Sequence, residues 1–392
     1  MSLGSFTFAE AKTDQKVSLA QNSGGIVVAD AVKLVRTVTE TDDESTSFEY
    51  VYDPNGNLTD ITDQSRPTPK IKTYQVTYNG LNQVKQVVEK ALSGAEQHTT
   101  SFTYDPNGNP DTRTHDGKVG EFEYDTRDLL SKVTDKKSSS DASPKVTSFT
   151  YTDRGQRWKE TKGNGNTVEH TYFLEGLLQR QVEKKPNGTL VAEHTMSYDP
   201  NGNRSRDVGS KMNADNHAAT LSTTSDYTYD PLDRIATLTK TGAGADTETY
   251  THDANNNVVS QKVKGVTTDY TYNRNRLASA TVTGGATSTY NYDPFGRLDT
   301  VTSGGKALER YRYDGFDRIS EHRKLTNPDS GATATTKYAY DALDRTASKT
   351  ANAGATGEKK TDYDYLGLTD QVVCPAFSGQ LIKVVLRCLT LV

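Results

Sequence analysis

Asp53-x-Asn55-x-Asn57 sets three oxygen-bearing side chains at alternate positions, as the start of a calcium loop does, and the same run returns at Asp105 and Asp199. An EF-hand loop also needs Gly at its sixth place and Glu at its twelfth. Here those places hold Leu58 and Gln64, so no cation is assigned. Seven His are scattered along the chain, at His98, His115, His170, His194, His217, His252 and His322, without HExxH or paired-His spacing. His170 and His252 stand where aromatic residues recur and read as packing residues rather than ligands. There is no GxSxG elbow and no P-loop. No catalytic, cofactor-binding or metal-ligating residue is therefore assigned, and the chain reads as not an enzyme.

Composition narrows the classes further. The 392 residues carry a formal net charge of −5 with both signs interspersed, so no basic stripe marks a nucleic-acid surface. Only 33% of the chain is hydrophobic, which by itself points towards disorder. The 22 Tyr and 10 Phe point the other way, because their placement is regular. The two Cys, Cys374 and Cys388, lie beyond the regular region, so disulfides do not hold it together. The most apolar stretch, 381–392, is too short to span a bilayer, which needs about 20 apolar residues. The first residues lack the basic and apolar regions of a signal peptide.

The regularity is a repeat. Tyr-Asp-Pro-Asn-Gly-Asn starts at Tyr52, Tyr104 and Tyr198, and looser copies start at Tyr78, Tyr124, Tyr151, Tyr172, Tyr229, His252, Tyr272, Tyr292, Tyr313, Tyr340 and Tyr365, making 14 in all. The residue after the anchor is Asp or Asn in 11 of the 14, and the fourth after it is Gly, Asn or Asp in 12. Asp at a first corner accepts from the backbone two residues on, Pro presets φ at the second, and Gly, Asn and Asp tolerate the left-handed conformation. The pattern predicts a three-residue hairpin loop at Pro54-Asn55-Gly56, with Tyr52 facing Leu58 across the ladder.

The entering strand carries a second aromatic two residues before the anchor, such as Tyr50, Phe102, Tyr290 or Tyr311. These two columns hold 21 of the 22 Tyr, on one face of a strand with period two. Thr103, Thr150, Thr228 and Thr271 between them predict a wet opposite face. After the turn, apolar residues recur at +6 and, in some copies, at +9, as in Leu58 and Ile61, which breaks period two and predicts a bulge or a strong twist. Anchor tyrosines are expected to be buried and turn glycines to have positive φ. One hairpin is unstable alone and needs neighbours. The fold class predicted is all-β: tandem hairpins in one long, coiled antiparallel sheet, a partial shell or spiral, with almost no helix.

Three segments follow. Residues 1–45 are a lead-in or cap, 46–373 the array, and 374–392 an atypical tail that holds both Cys and no Tyr. The break after Val373 is expected to be a seam left by a frameshift or truncation, the alternative being a native hydrophobic cap over Phe377, Leu381, Val385 and Leu389.

Tyr52-Asp53-Pro54-Asn55-Gly56, Tyr292-Asp293-Pro294-Phe295-Gly296-Arg297-Leu298 and Tyr311-Arg312-Tyr313-Asp314 resemble the YD repeat of Rhs proteins, of the C component of Tc toxins and of teneurins, over residues 50–373. The resemblance implies a spiral of hairpins forming a hollow shell, which in bacterial polymorphic toxins encloses a toxic C-terminal domain. It also implies secretion or a cell-surface place, and an enclosed toxin domain or further shell subunits as partners. No DPxGxxDGxNxY region is found, so no self-cleavage site carries over. Asn57-Leu58-Thr59, Asn187-Gly188-Thr189 and Asn203-Arg204-Ser205 match a glycosylation pattern by chance in a bacterial chain. The function expected is a non-catalytic shell segment whose toxin is absent. The alternative is a cell-surface adhesion or carbohydrate-binding array that presents its aromatic residues to a glycan. No cofactor, nucleic-acid partner or membrane span is expected.

Overall fold

The computed structural model describes residues 46–65 and 69–373. The lead-in at 1–45 and the tail at 374–392, with both Cys and the cap residues, lie outside the described residues. No helix occurs among the described residues. Twenty-seven strands, from β1 (Phe48–Tyr52) to β27 (Lys359–Asp362), form one antiparallel sheet. Each strand pairs with the next in sequence, as β1 does with β2 (Leu58–Asp63), β2 with β3 (Thr73–Tyr78), β3 with β4 (Val84–Lys90) and β4 with β5 (Glu96–Tyr104). Only neighbours in sequence pair, so the whole sheet follows from local hairpins repeated along the chain.

The turns are those the sequence predicts. Gly56 donates its N–H to Asp53 O at 3.0 Å, and Asp53 donates to Asn57 O at 2.9 Å. Asp53 Oδ1 accepts from the N–H groups of Asn55 and Asn57 at 2.9 and 2.8 Å. Gly56 has φ +84° and Gly296 +85°, and Asn82, Asp233 and Asp317 hold the same place at 60°, 60° and 63°. That conformation costs an ordinary side chain about 1–2 kcal/mol, which is why the column holds Gly, Asn and Asp.

Tyr52 pairs with Leu58, while Val51 pairs with Asp60, so Thr59 is an extra residue on the exit strand. The same shift follows Tyr78, Tyr229, Tyr292 and Tyr313. This bulge explains the apolar spacing. It turns +6 and +9 to one face, so Ile61 meets Tyr50, Val87 meets Val76, Val133 meets Phe122 and Val301 meets Tyr290.

Two copies depart from the pattern. After Tyr272 the loop is one residue shorter: Asn273 pairs with Arg276 around Arg274 and Asn275, both at positive φ, so Leu277 takes the place usually held at +6. The last copy, expected to be ordinary, leaves the sheet. β28 (Asp364–Tyr365) pairs with β29 (Val372–Val373) in a separate two-stranded ladder.

The expectation that anchors are buried needs correction. Tyr292, Tyr313 and Tyr340 are half-buried, and Tyr52 is 60% exposed. A one-layer sheet covers its aromatic face only with that face's own side chains, so most anchors keep one flank in contact with water. Full burial is concentrated where the array returns on itself. There Ile61, Tyr74 and Ala342 form a core, with Phe48, Tyr50, Leu58 and Leu343 packed around it.

Candidate functional site

Two seams join each hairpin to the next. The first explains why the anchor is Tyr rather than Phe. Eleven anchor hydroxyls donate to the backbone carbonyl of the +6 residue, or its equivalent Leu277, in the preceding hairpin, at 2.7–2.9 Å; Tyr78 to Leu58 and Tyr313 to Leu298 are examples. The ring fills the groove between hairpins and the hydroxyl closes it.

The second seam runs along the turns. Its donors are the residues at +5, a column the sequence reading passed over. Asn57 Nδ2 donates to Asn82 Oδ1 at 2.9 Å, Gln83 Nε2 to Gly108 O at 3.0 Å, and Arg318 Nη1 to Asp344 Oδ1 at 2.7 Å. The guanidinium also lies over the next anchor ring at Arg297, 4.6 Å from the Tyr313 centroid, and at Arg318, 4.5 Å from that of Tyr340. The signal was present in the sequence as Asn, Gln or Arg at +5, each a donor long enough to reach the neighbouring turn.

The array then closes on its own beginning. Tyr50 Oη donates to Ala342 O at 2.8 Å across 292 residues, and the Phe48 and Phe316 rings stand 5.4 Å apart. Arg345 is buried, and its guanidinium lies 4.3 Å from the Tyr365 centroid. Its Nε donates to Asp341 Oδ2 at 2.7 Å, and Nη1 donates to the carbonyls of Gly367 and Thr369 at 2.7 and 2.8 Å. Lys70 pairs with Asp364. Among the described residues no ladder joins the first and last strands of the sheet, and there it does not close as a barrel.

This seam gathers buried polar groups on a face that is otherwise apolar. Asp63 is 1% exposed and its Oδ2 has no partner; burial pushes its carboxyl above the ordinary range. Glu89 is 3% exposed, its Oε1 lacks a partner, and burial pushes it up to about 7. Burial pushes the His115 imidazole down. His98 and His115, with nothing in their spacing to link them, are brought to adjacent strands, β5 and β6 (Pro110–His115), with ring centroids 5.7 Å apart. Asp116, next to His115 in the Asp116-Gly117 turn, completes the group. The sequence reading assigned no metal ligand, because the bulge after Tyr104 sets the register that unites these three. His170 and Tyr172 stack in the array as side chains of one face. His252 holds the anchor place and pairs with Val258.

A groove of about 710 Å³ opens beside this seam, lined by Arg113, Phe122, Phe149, Leu366 and Val372 among others. Among the described residues, no helix is long and apolar enough to cross a membrane.

Similarity to known proteins agrees with the repeat. No family model matches the chain. The tRNA3(Ser)-specific nuclease WapA of Bacillus spizizenii is 28% identical over 270 residues, covering 59% of this chain and 11% of that protein. The tRNA nuclease WapA of Bacillus subtilis is 27% identical over 265 residues, covering 57% of this chain and 10% of that protein. One hairpin register, one turn and one tyrosine seam recur through the array. In these features the repeat resembles the YD repeat. The YD array spans about a tenth of the length of these curated relatives. The TcdB2-TccC3 crystal structure superposes with a TM-score of 0.35 at 12% identity, over 85% of this chain and 23% of that one. The Photorhabdus luminescens Tc holotoxin pore gives 0.33 at 13% identity, over 84% and 22%. Superpositions this loose support no inference about partners or chemistry.

Proposed function

We propose that the chain is a structural wall segment, a stretch of hairpin shell that surrounds another polypeptide and performs no catalysis itself. The observation that carries this reading is the pair of seams. The tyrosine hydroxyls and the +5 donors of hairpin after hairpin are engaged in holding the next one. Side chains that would bind a substrate in another fold are here spent on joining repeats. The recurring chemistry of the unit is thus mechanical: it extends a curved sheet and ties its end to its start.

On this reading the domain plan is a lead-in at 1–45, the wall at 46–373 and a distinct tail at 374–392. The partners are an enclosed toxin domain or further wall subunits, and the place of action is the cell surface or outside the cell. The relatives named as tRNA nucleases fit if nuclease chemistry resides in parts of those proteins that this chain does not match.

The test is a tRNA cleavage assay on the purified chain, paired with protease protection of a toxin-domain polypeptide produced together with it. Intact tRNA and a protected partner are the expected results. Cleavage by the chain that follows it through purification and is lost in a site variant would overturn the reading.

A further inference from the structure

His98, His115 and Asp116 each bring one ligand atom within 4.8 Å of the others. His98 Nδ1 lies 2.7 Å from Asp116 Oδ2, and His115 Nε2 lies 3.6 Å from the same oxygen, beyond hydrogen-bond length. From these positions we infer that the three residues form a binding site for a zinc-class divalent ion, ligated by His98 Nδ1, His115 Nε2 and Asp116 Oδ2.

Four observations support it. First, the ligands are preset. Asp116 donates its N–H to Thr99 O at 3.1 Å and accepts from Thr99 N–H on Oδ1 at 2.9 Å, which leaves Oδ2 to face both rings. Second, the far side of each ring is backed by oxygen. His115 Nδ1 lies 2.8 Å from Thr100 Oγ1, and His98 Nε2 faces Asp364 Oδ1 at 3.5 Å. Metal-bound imidazoles donate the other ring nitrogen to a hydroxyl or carboxylate, as His115 can to Thr100, while His98 Nε2 stands near Asp364 without bonding it.

Third, the two pairs made with Asp116 Oδ2 are close to the spacing the ion needs, and the two ring nitrogens lie within 4.8 Å of each other. Zn–N bonds of about 2.0–2.1 Å in a tetrahedron place ligand atoms about 3.3 Å apart, so the 3.6 Å pair needs no change and the 2.7 Å pair needs a small ring rotation. Fourth, buried polar atoms beside the site lack partners. Glu89 stands directly across the ladder from His98 with Oε1 unpartnered, and His98 Nε2 is itself buried without a hydrogen bond. Three protein ligands leave a fourth position to water. The ion would fix the His98 ring, whose Nε2 lies 3.5 Å from Asp364 of the last hairpin, and so favour contact between the two ends of the array.

The experiment uses the full chain, stripped with a chelator and dialysed, then titrated with Co²⁺ and competed with Zn²⁺. The expected result is one equivalent of cobalt with tetrahedral visible absorption, bleached by zinc, and a melting temperature raised by zinc. Asp116→Asn, in an exposed turn that Asn also suits, should abolish the absorption, and Asp364→Asn should weaken affinity about ten-fold. His194→Gln, at a distant His–Asp pair, should bind as the parent does. No saturable uptake by the parent, or uptake unchanged in Asp116→Asn, would overturn the site.

Discussion

Tyr292 Oη donates to the carbonyl of Leu277 at 2.9 Å, reaching from one hairpin to the exit of the hairpin before it. Removing only that hydroxyl, as Tyr292→Phe, should cost about 1 kcal/mol, the net worth of one such bond. Tyr292→Ala should cost more, about 2–3 kcal/mol, less than a fully buried aromatic because the ring is half-buried. Urea midpoints at unchanged slope are the measurement. Equal midpoints for parent and Phe variant would show that the ring alone holds the seam.

Gly296 sits at φ +85°, and a Cβ there would stand 2.4 Å from the Arg276 guanidinium. The guanidinium is the far end of a flexible side chain and can withdraw, so backbone conformation decides. Gly296→Val should destabilise by about 2 kcal/mol, since a branched side chain resists the left-handed region. Gly296→Asn should lose much less, because Asn82 and Asn256 occupy the same place in other hairpins. Thermal melts of the two variants side by side distinguish a φ requirement from a requirement for space.

Arg345 is 6% exposed and its ion pair with Asp341 is buried. Arg345→Met should cost about 3–5 kcal/mol, because it strands a buried carboxylate and two carbonyls. Adding Asp341→Asn should recover part of that loss. If closure is the role of this residue, the single variant also expands in small-angle scattering while its circular dichroism stays β. Unchanged dimensions would separate Arg345 from closure.

Asp63 provides a pH test. Burial raises its folded pKa above the unfolded value near 3.9, so the folded chain holds a proton that the unfolded chain has released. Stability is then fully present below the unfolded pKa and falls as pH rises through the folded pKa. Asp63→Asn should flatten that fall and give the higher urea midpoint at neutral pH. A variant less stable than the parent at neutral pH would mean the ionised carboxylate is stabilised by its surroundings.

The sequence determined the unit and its turn. Tyr, Asp and Gly at fixed offsets encode a hairpin whose bonds run within about ten residues, so Gly56 and its φ and the pairing of Tyr52 with Leu58 were legible, while the irregularity expected on the exit strand was located at Thr59 only by the structure. Sheet order was legible for the same reason, since each strand pairs only with its neighbour. The tertiary structure decided what depends on accumulated twist and on register set by bulges. Small rotations summed over 27 strands bring Ala342 to Tyr50 and Asp364 to His98, and no local pattern records such a sum. Burial was decided there too: anchors identical in sequence are half-exposed along the single layer, while Tyr74 and Arg345 are enclosed where the array's end covers its start.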